Sequence, residues 1–404
     1  MVKFSEKPLK LIATASQLPG PPVTNEQLFD SIMVQCAKTG DDSGKRKVRR
    51  AKAMAKRLGI ERRHFARSHK TALCRPSTDG PQLGVELLSI LLNDSALVES
   101  DIDYLITHTA SPHTQIPGNS AWIADRAELV CPHMELRQAC TGFANALFVA
   151  SGLLGTSDEI NTIAIAGMEV GSVFFNLTPE FLDEEQLLNY MQMGDGAGGV
   201  LVSAGSFEST SADSATDGMI SDIYHGHIGI GRDPGFYLMG AGSSDVADNL
   251  GNMPRFRHNG AMVKTLGADL FLTAIQCIAE RGYSLQEFDW IIPHQASGHI
   301  GQLLSDHTHI PVERFVVDAA SHGNLGSAAI WVSLDKLMRS GKLLRGQKVL
   351  VLGAEATKYC TVGLSISIRP ACTVVVRAAH NSSALIPPHL KWHKRRDITV
   401  KNVM

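Results

Sequence analysis

The stretch Asp103-Tyr104-Leu105-Ile106-Thr107-His108-Thr109-Ala110-Ser111-Pro112-His113 recurs as Asp289-Trp290-Ile291-Ile292-Pro293-His294-Gln295-Ala296-Ser297-Gly298-His299, 186 residues further along. In both copies a short apolar run ends at a histidine and gives way to a polar loop, the pattern of a strand and its exit. A second pair keeps the same offset of 186: Ile163-Ala164-Ile165-Ala166-Gly167-Met168-Glu169 against Val349-Leu350-Val351-Leu352-Gly353-Ala354-Glu355. Several blocks in one register predict two duplicated halves. Helical patterns such as Ala261 to Glu280 alternate with these strands, so each half reads as α/β with a mostly parallel sheet. The first half spans 1–205 and closes with the Gly-rich turn and strand Gly194 to Val202. The second spans 206–370 and opens with a Ser/Thr/Ala-rich connector running from Ser206 to Asp217. Residues 371–404, with Pro387-Pro388 and the mostly basic run Lys391 to Arg396, read as an appended tail.

The composition narrows the function. Hydrophobic content of 44% and charge of 19% are ordinary for a globular chain, and a net charge of -2 gives no reason to expect a nucleic-acid partner. The 7 cysteines are odd in number and scattered, which fits a reducing compartment. His225-Gly226-His227 and Cys131-Pro132-His133 lack a four-ligand set, so no metal is expected. The N-terminus lacks a signal-peptide layout, and no apolar run approaches the roughly 20 residues that span a bilayer. A cytoplasmic chain without a membrane partner is the expectation.

Glu135-Leu136-Arg137-Gln138-Ala139-Cys140-Thr141-Gly142-Phe143-Ala144-Asn145-Ala146-Leu147 reads as a strand ending in a cysteine that starts a helix. Phe143, Ala146, Leu147, Ala150 and Leu154 then recur at the spacing of a buried helical face. A thiol at that point lies over unpaired N–H groups and the positive end of the helix dipole, and both favour the thiolate. The competing reading is a buried structural cysteine. Moving Cys140 by the repeat offset lands on Gly326, within His322-Gly323-Asn324-Leu325-Gly326-Ser327-Ala328-Ala329. Equivalent loops of a duplicated fold can meet near its pseudo-twofold axis, which would bring Cys140, His294 and Asn324 together. A nucleophilic thiol needs an imidazole nearby, and an amide can orient the imidazole or bind an oxyanion. Read singly, His294 is an ordinary strand-end histidine like its partner His108, and Asn324 a turn residue beside Gly323.

Taken together, Arg137-Gln138-Ala139-Cys140-Thr141-Gly142-Phe143, Pro293-His294-Gln295-Ala296, His322-Gly323-Asn324 and Gly194-Asp195-Gly196-Ala197-Gly198 resemble the motifs of β-ketoacyl-acyl-carrier-protein synthase III. The likeness runs from about Leu9 to Ile368. It implies a thiolase-like fold with a layered α-β-α-β-α core, a homodimer, and decarboxylative Claisen condensation of an acyl thioester with malonyl-acyl carrier protein. It also implies that Cys140 accepts the acyl group, that His294 and Asn324 hold the extender's thioester carbonyl, and that backbone N–H groups of Cys140 and Gly353 form an oxyanion hole. Acyl-coenzyme A or acyl-acyl carrier protein would be the donor, and no cofactor is implied.

The chain departs from this pattern at several positions. Arg57-Leu58-Gly59-Ile60 is similar to the segment that meets the coenzyme A nucleotide, yet Ala53 replaces the tryptophan that stacks on adenine. His299 stands where an arginine is frequent. Ile116 replaces a phenylalanine that caps the partner subunit's acyl pocket. Glu355, in place of glycine, is either a structural carboxylate like its repeat partner Glu169 or an additional acid/base group. The acid-free run Lys45 to Arg57, which includes Arg49 and Arg50, is either a solvated helix face or a dock for an acidic carrier protein. The departures at Ala53, His299 and Glu355 lean towards a specialised lipid or polyketide route over fatty acid initiation. Alternative activities are condensation followed by cyclisation to resorcinol or cyclohexanedione rings, a type III polyketide synthase, and non-decarboxylative acyl transfer. A cysteine hydrolase with the same Cys, His, Asn order lacks its local signature here, and a non-catalytic ketosynthase subunit would be expected to have lost part of the triad.

Overall fold

The computed structural model describes residues 2–72, 74–179, 181–205, 217–240 and 254–369. Most of the connector (206–216) and the tail (371–404) lie outside the described residues. Ten strands form one sheet. Its order is His133–Leu136, Tyr104–His108, Thr162–Glu169, Gly196–Ala204, Leu9–Gln17, Asp217–His227, Cys360–Arg369, Lys348–Glu355, Trp290–Pro293, with Val2–Phe4 also paired to Asp217–His227. The halves join in the middle, where Leu9, Lys10 and Leu11 run antiparallel to Ile220, Met219 and Gly218.

Alternation along the strands sorts side chains into layers. Ile163 and Ile165 face inward with Val349 and Val351, against the helices Gly142–Leu154 and Ala329–Arg339. Ala164 and Ala166 face the other way, against Leu83, Leu87 and Leu91 of the helix Gly80–Ser95. Leu350 and Leu352 do the same in the second half, against Leu270, Ala274 and Ile278 of the helix Gly260–Glu280. The result is the expected helix–sheet–helix–sheet–helix stack. The helix foreseen from Ala261 to Glu280 starts one residue earlier.

The sheet is mixed, which corrects the expectation of mostly parallel strands. Parallel pairing is confined to Tyr104–His108 with its two neighbours and to Trp290–Pro293 with Lys348–Glu355. The other pairs are antiparallel. Only residues 356–359 separate Lys348–Glu355 from Cys360–Arg369, far short of the dozen or so residues a parallel crossover needs. No helix among the described residues is long and apolar enough to cross a membrane.

Candidate active site

The strand before Cys140 stops at Leu136 and the helix after it starts at Gly142, so the cysteine occupies a turn between them. Gly142 N donates to Ala139 O at 3.1 Å, which tightens that turn. A side chain at Gly142 would collide with the ring of His108, so only glycine lets the helix start this close to the histidine. Phe143, Ala146, Leu147, Ala150 and Leu154 are all buried, as their spacing predicts.

The donors at this helix start are taken by the other half of the chain. Thr141 gives its N–H (2.9 Å) and hydroxyl (2.7 Å) to Glu355 Oε2, and Thr357 donates to Oε1. The reciprocal clamp lies in the second half. Ser327 gives its N–H (3.2 Å) and hydroxyl (3.0 Å) to Glu169 Oε2, and Ser111 donates to Oε1. Thr141 and Ser327 are related by the repeat offset, as are the two glutamates, so each half's carboxylate crosses to hold the other's equivalent turn. At Thr141 it also lies at the positive end of a helix, where an anion is favoured. Symmetry breaks at the centre: the repeat equivalent of Cys140 is Gly326, which has φ +51° and no room for a side chain against Glu169.

This arrangement reverses the expectation of a ready thiolate. Burial, then the charge of Glu355, then that of Glu169 push the Cys140 thiol well above its usual range. The helix end favours the anion, but desolvation and two carboxylates outweigh it. Both Glu355 oxygens are occupied by threonine donors, which is the pattern of a structural clamp. Asp195, from the Gly-rich turn, is a similar staple: it accepts from Ala66 N, Ser172 N and Ser172 Oγ, and burial pushes it up to about 6.

His294 leaves the end of Trp290–Pro293 with its N–H on Leu352 O at 2.8 Å. Burial holds its imidazole down to about 4, so it is neutral at pH 7. Its Nδ1 has no hydrogen-bond partner among the described residues. A bare lone pair there costs less than a stranded N–H, which puts the single proton on Nε2. Asn324 is clamped through its backbone, donating to Gln192 O (2.8 Å) and accepting from Gly194 N (3.0 Å). Its Oδ1 accepts from Gly326 N at 3.0 Å, so the amide NH2 is the end left without a partner among the described residues.

Cys140, His294 and Asn324 line one cleft of about 880 Å3, counting space open to solvent, together with Glu169 and Glu355. Its remaining wall is largely apolar, with Met193, Phe236, Phe256, Leu270 and Phe271. Phe236 and Phe256 stack at 4.9 Å and come from a small antiparallel pair, Phe236–Met239 with Arg255–His258. Sequence reasoning missed this pair. Its only signal was the short apolar run Phe236-Tyr237-Leu238-Met239, and its partner strand is rich in charge.

Other expected residues lie elsewhere. Gly353 is paired with Val362 inside the sheet and packs against Phe143, behind the cleft. It does not line the cleft, whereas Ala354, Ala356 and Thr357 do. His299 does not stand free at the mouth. Its ring covers Gly59 and its Nε2 lies 3.1 Å from Lys56 O, while Ser297 Oγ and Gly298 N each donate to Leu58 O at 2.8 Å. This turn satisfies carbonyls at the end of the helix Gly44–Leu58, which the helix itself cannot pair. Ile116 is 86% exposed and does not line the cleft of its own chain.

The Gly44–Leu58 helix buries Ala51 and Ala55 and exposes Lys45, Arg46, Arg49, Arg50, Lys56 and Arg57. Arg50 pairs with Glu184 at 2.5 Å. Arg57 is near enough to the cleft residue His258 to help hold its imidazole below the usual range. Ala53 is exposed on the same helix.

Residues 134–218 match the family model for 3-oxoacyl-[acyl-carrier-protein] synthase III, and residues 278–360 match the model of its C-terminal part. The first segment carries Cys140 and the second carries His294 and Asn324. The β-ketoacyl-[acyl-carrier-protein] synthase III of Neisseria gonorrhoeae is 26% identical over 350 residues, covering 85% of this chain and 94% of the relative. Among solved structures, the tetronic acid condensing enzyme AbyA1 superposes with a TM-score of 0.74 at 22% identity, over 89% of this chain and 99% of that one. The 3-oxoacyl-(acyl carrier protein) synthase III FabH of Pseudomonas aeruginosa PAO1 gives 0.68 at 22% identity, over 90% and 98%. Between them the two matched segments carry the cysteine, histidine and asparagine that line one cleft of a thiolase-like fold, and over these segments the chain is similar to the β-ketoacyl-acyl-carrier-protein synthase III family of condensing enzymes.

Proposed function

We propose that this chain catalyses a decarboxylative Claisen condensation between an acyl thioester and malonyl-acyl carrier protein through an acyl group carried on Cys140. The observation that carries the reading is the single cleft lined by Cys140, His294 and an Asn324 amide turned by Gly326. The resting thiol is protonated, so acylation begins with loss of that proton as Cys140 Sγ attacks the thioester carbonyl. His294 Nε2 already carries its proton and stays a donor, so the thiol proton passes through solvent to the departing carrier. The carrier leaves as a thiolate and takes the proton. The malonyl thioester then loses carbon dioxide, and the enolate oxygen accepts hydrogen bonds from His294 Nε2–H and the Asn324 amide. The enolate carbon attacks the Cys140 thioester, the C–S bond breaks, and the cysteine recovers a proton from solvent.

The apolar wall around Phe236, Phe256 and Phe271 suits an aliphatic acyl chain. Ala53 offers no ring to adenine, which favours an acyl carrier protein over coenzyme A as donor. The reading includes a homodimer in which exposed Ile116 caps the acyl cleft of the second copy. Intact-protein mass after incubation with matched acyl-coenzyme A and acyl-carrier-protein panels tests it. Wild type should gain one acyl group and Cys140→Ala none. His294→Ala should still acylate but release carbon dioxide from malonyl-carrier protein at least about a hundredfold more slowly. Absence of any adduct, or full condensation by Cys140→Ala, would overturn the proposal.

A further inference from the structure

His258 lines the cleft that holds Cys140, and its hydrogen bonds fix which ring nitrogen carries the proton. Asn189 is fully buried and places its Nδ2 3.3 Å from Phe256 O, which also accepts from Gln186 Nε2 at 2.7 Å and which only the NH2 end of the Asn189 amide can face. The Asn189 Oδ1 therefore points the other way, 3.2 Å from His258 Nδ1. An amide oxygen can only accept, so His258 carries its proton on Nδ1 and leaves Nε2 as a bare acceptor. No hydrogen bond to Nε2 is made among the described residues.

The ring is held in place as well as in tautomer. His258 N donates to Glu185 Oε1 at 2.5 Å, and Arg257 Nη1 donates to Glu185 Oε2 at 2.9 Å. Phe236 meets the ring edge-on at 5.6 Å. Burial, with Arg57 nearby, keeps the imidazole neutral against the opposing pull of Glu185. That acceptor stands open in the cleft beside Met193, Phe236, Phe256 and Phe271, where a bound ligand can bring the donor.

We propose that His258 is a substrate-binding residue whose Nε2 accepts a hydrogen bond from an N–H or O–H of the bound thioester. This deepens the reading of the cleft as a thioester site and rests on it. Two parts of such a substrate carry donors: the amides of a pantetheine arm and a hydroxyl on the acyl chain. Losing such a hydrogen bond weakens binding by about twofold to tenfold.

The test is calorimetric binding of non-reactive acyl-pantetheine analogues, with an amide replacing the thioester, to the full chain and to His258→Phe and His258→Gln. Three analogues are compared: the parent, one with N-methylated arm amides, and one with a hydroxylated acyl chain. If the arm supplies the donor, His258→Phe weakens the parent and leaves the methylated analogue unchanged. If the acyl chain supplies it, only the hydroxylated analogue is weakened. His258→Gln, which keeps an acceptor, should restore part of the loss in either case. Equal affinity of wild type and His258→Phe for every analogue overturns the proposal, and so does failure of every analogue to bind wild type. Missing acylation of Cys140 would instead strike the condensation reading, so the two failures are distinguishable.

Discussion

Replacing Glu355 tests whether it is a clamp or a participant in the chemistry. In Glu355→Ala, the N–H and hydroxyl of Thr141 lose their acceptor, and Thr141 is fully buried. A stranded buried N–H costs about 1–3 kcal/mol and the hydroxyl about 1 kcal/mol. The third donor, Thr357, is only partly buried and can turn to water. Removing a carboxylate that is itself 3% exposed relieves some desolvation. The expected net loss is about 2–3 kcal/mol. Glu355→Gln keeps a carbonyl oxygen for Thr141 and should lose about 1 kcal/mol or less. Urea unfolding of both variants reads this, with unchanged m-values as the condition for comparison. Glu355→Gln also removes one of the two negative charges that disfavour the Cys140 thiolate. The pH profile of Cys140 alkylation should therefore move to lower pH, while turnover stays within about tenfold of wild type. An unchanged urea midpoint for Glu355→Ala would refute the clamp. A loss of turnover by about a thousandfold or more in Glu355→Gln, with Cys140 acylation intact, would assign Glu355 an acid/base role instead.

Acid should destabilise the fold because its buried histidines resist taking up protons. Burial holds His108, His294 and His322 at about 4, below their ordinary 6.5, so the folded state takes up these protons later than the unfolded chain. Their contribution is intact above pH 6.5 and is lost as pH falls towards 4. Asp195, raised to about 6, and Glu169, also raised by burial, have the opposite sign, while His64, His225 and His258 are lowered like the three histidines. The urea midpoint should fall between pH 7 and pH 5, and His108→Gln, which keeps an acceptor for Trp331, should make that slope shallower. A flat midpoint across this range would contradict the assignment of neutral buried histidines. The exposed basic helix gives a separate test. Reversing Arg46 and Arg49 to glutamate should raise the KM for an acyl-carrier-protein donor by about tenfold at low salt, and less at high salt. The KM for an acyl-pantetheine donor should not move. An equal effect on both donors would leave the run as a solvated face.

Sequence alone was enough for the duplication, because strands that must bury alternate faces keep their apolar pattern at a constant offset. Strand exits and helix starts are set by local pattern, so the loops that carry Cys140, His294 and Asn324 were legible, and the fold brings these three residues to one cleft. The protonation of the thiol was decided only by tertiary structure. Residues 136–147 predict a helix end that favours the anion, whereas the deciding charges arrive from Glu169 and Glu355, one close in sequence and one 215 residues away. The same holds for His299, whose ring meets the end of a helix some 240 residues earlier, and for Gly353, whose motif-like position lies within a paired strand. The Phe236–Met239 wall had too little periodicity to announce itself, and its place beside Cys140 depends on how the second half closes over the first. Local pattern fixes where the chain turns and which side chains stand at the turns. Desolvation, charge and hydrogen-bond pairing at those turns are sums over neighbours distant in sequence, and only the folded chain brings those neighbours together.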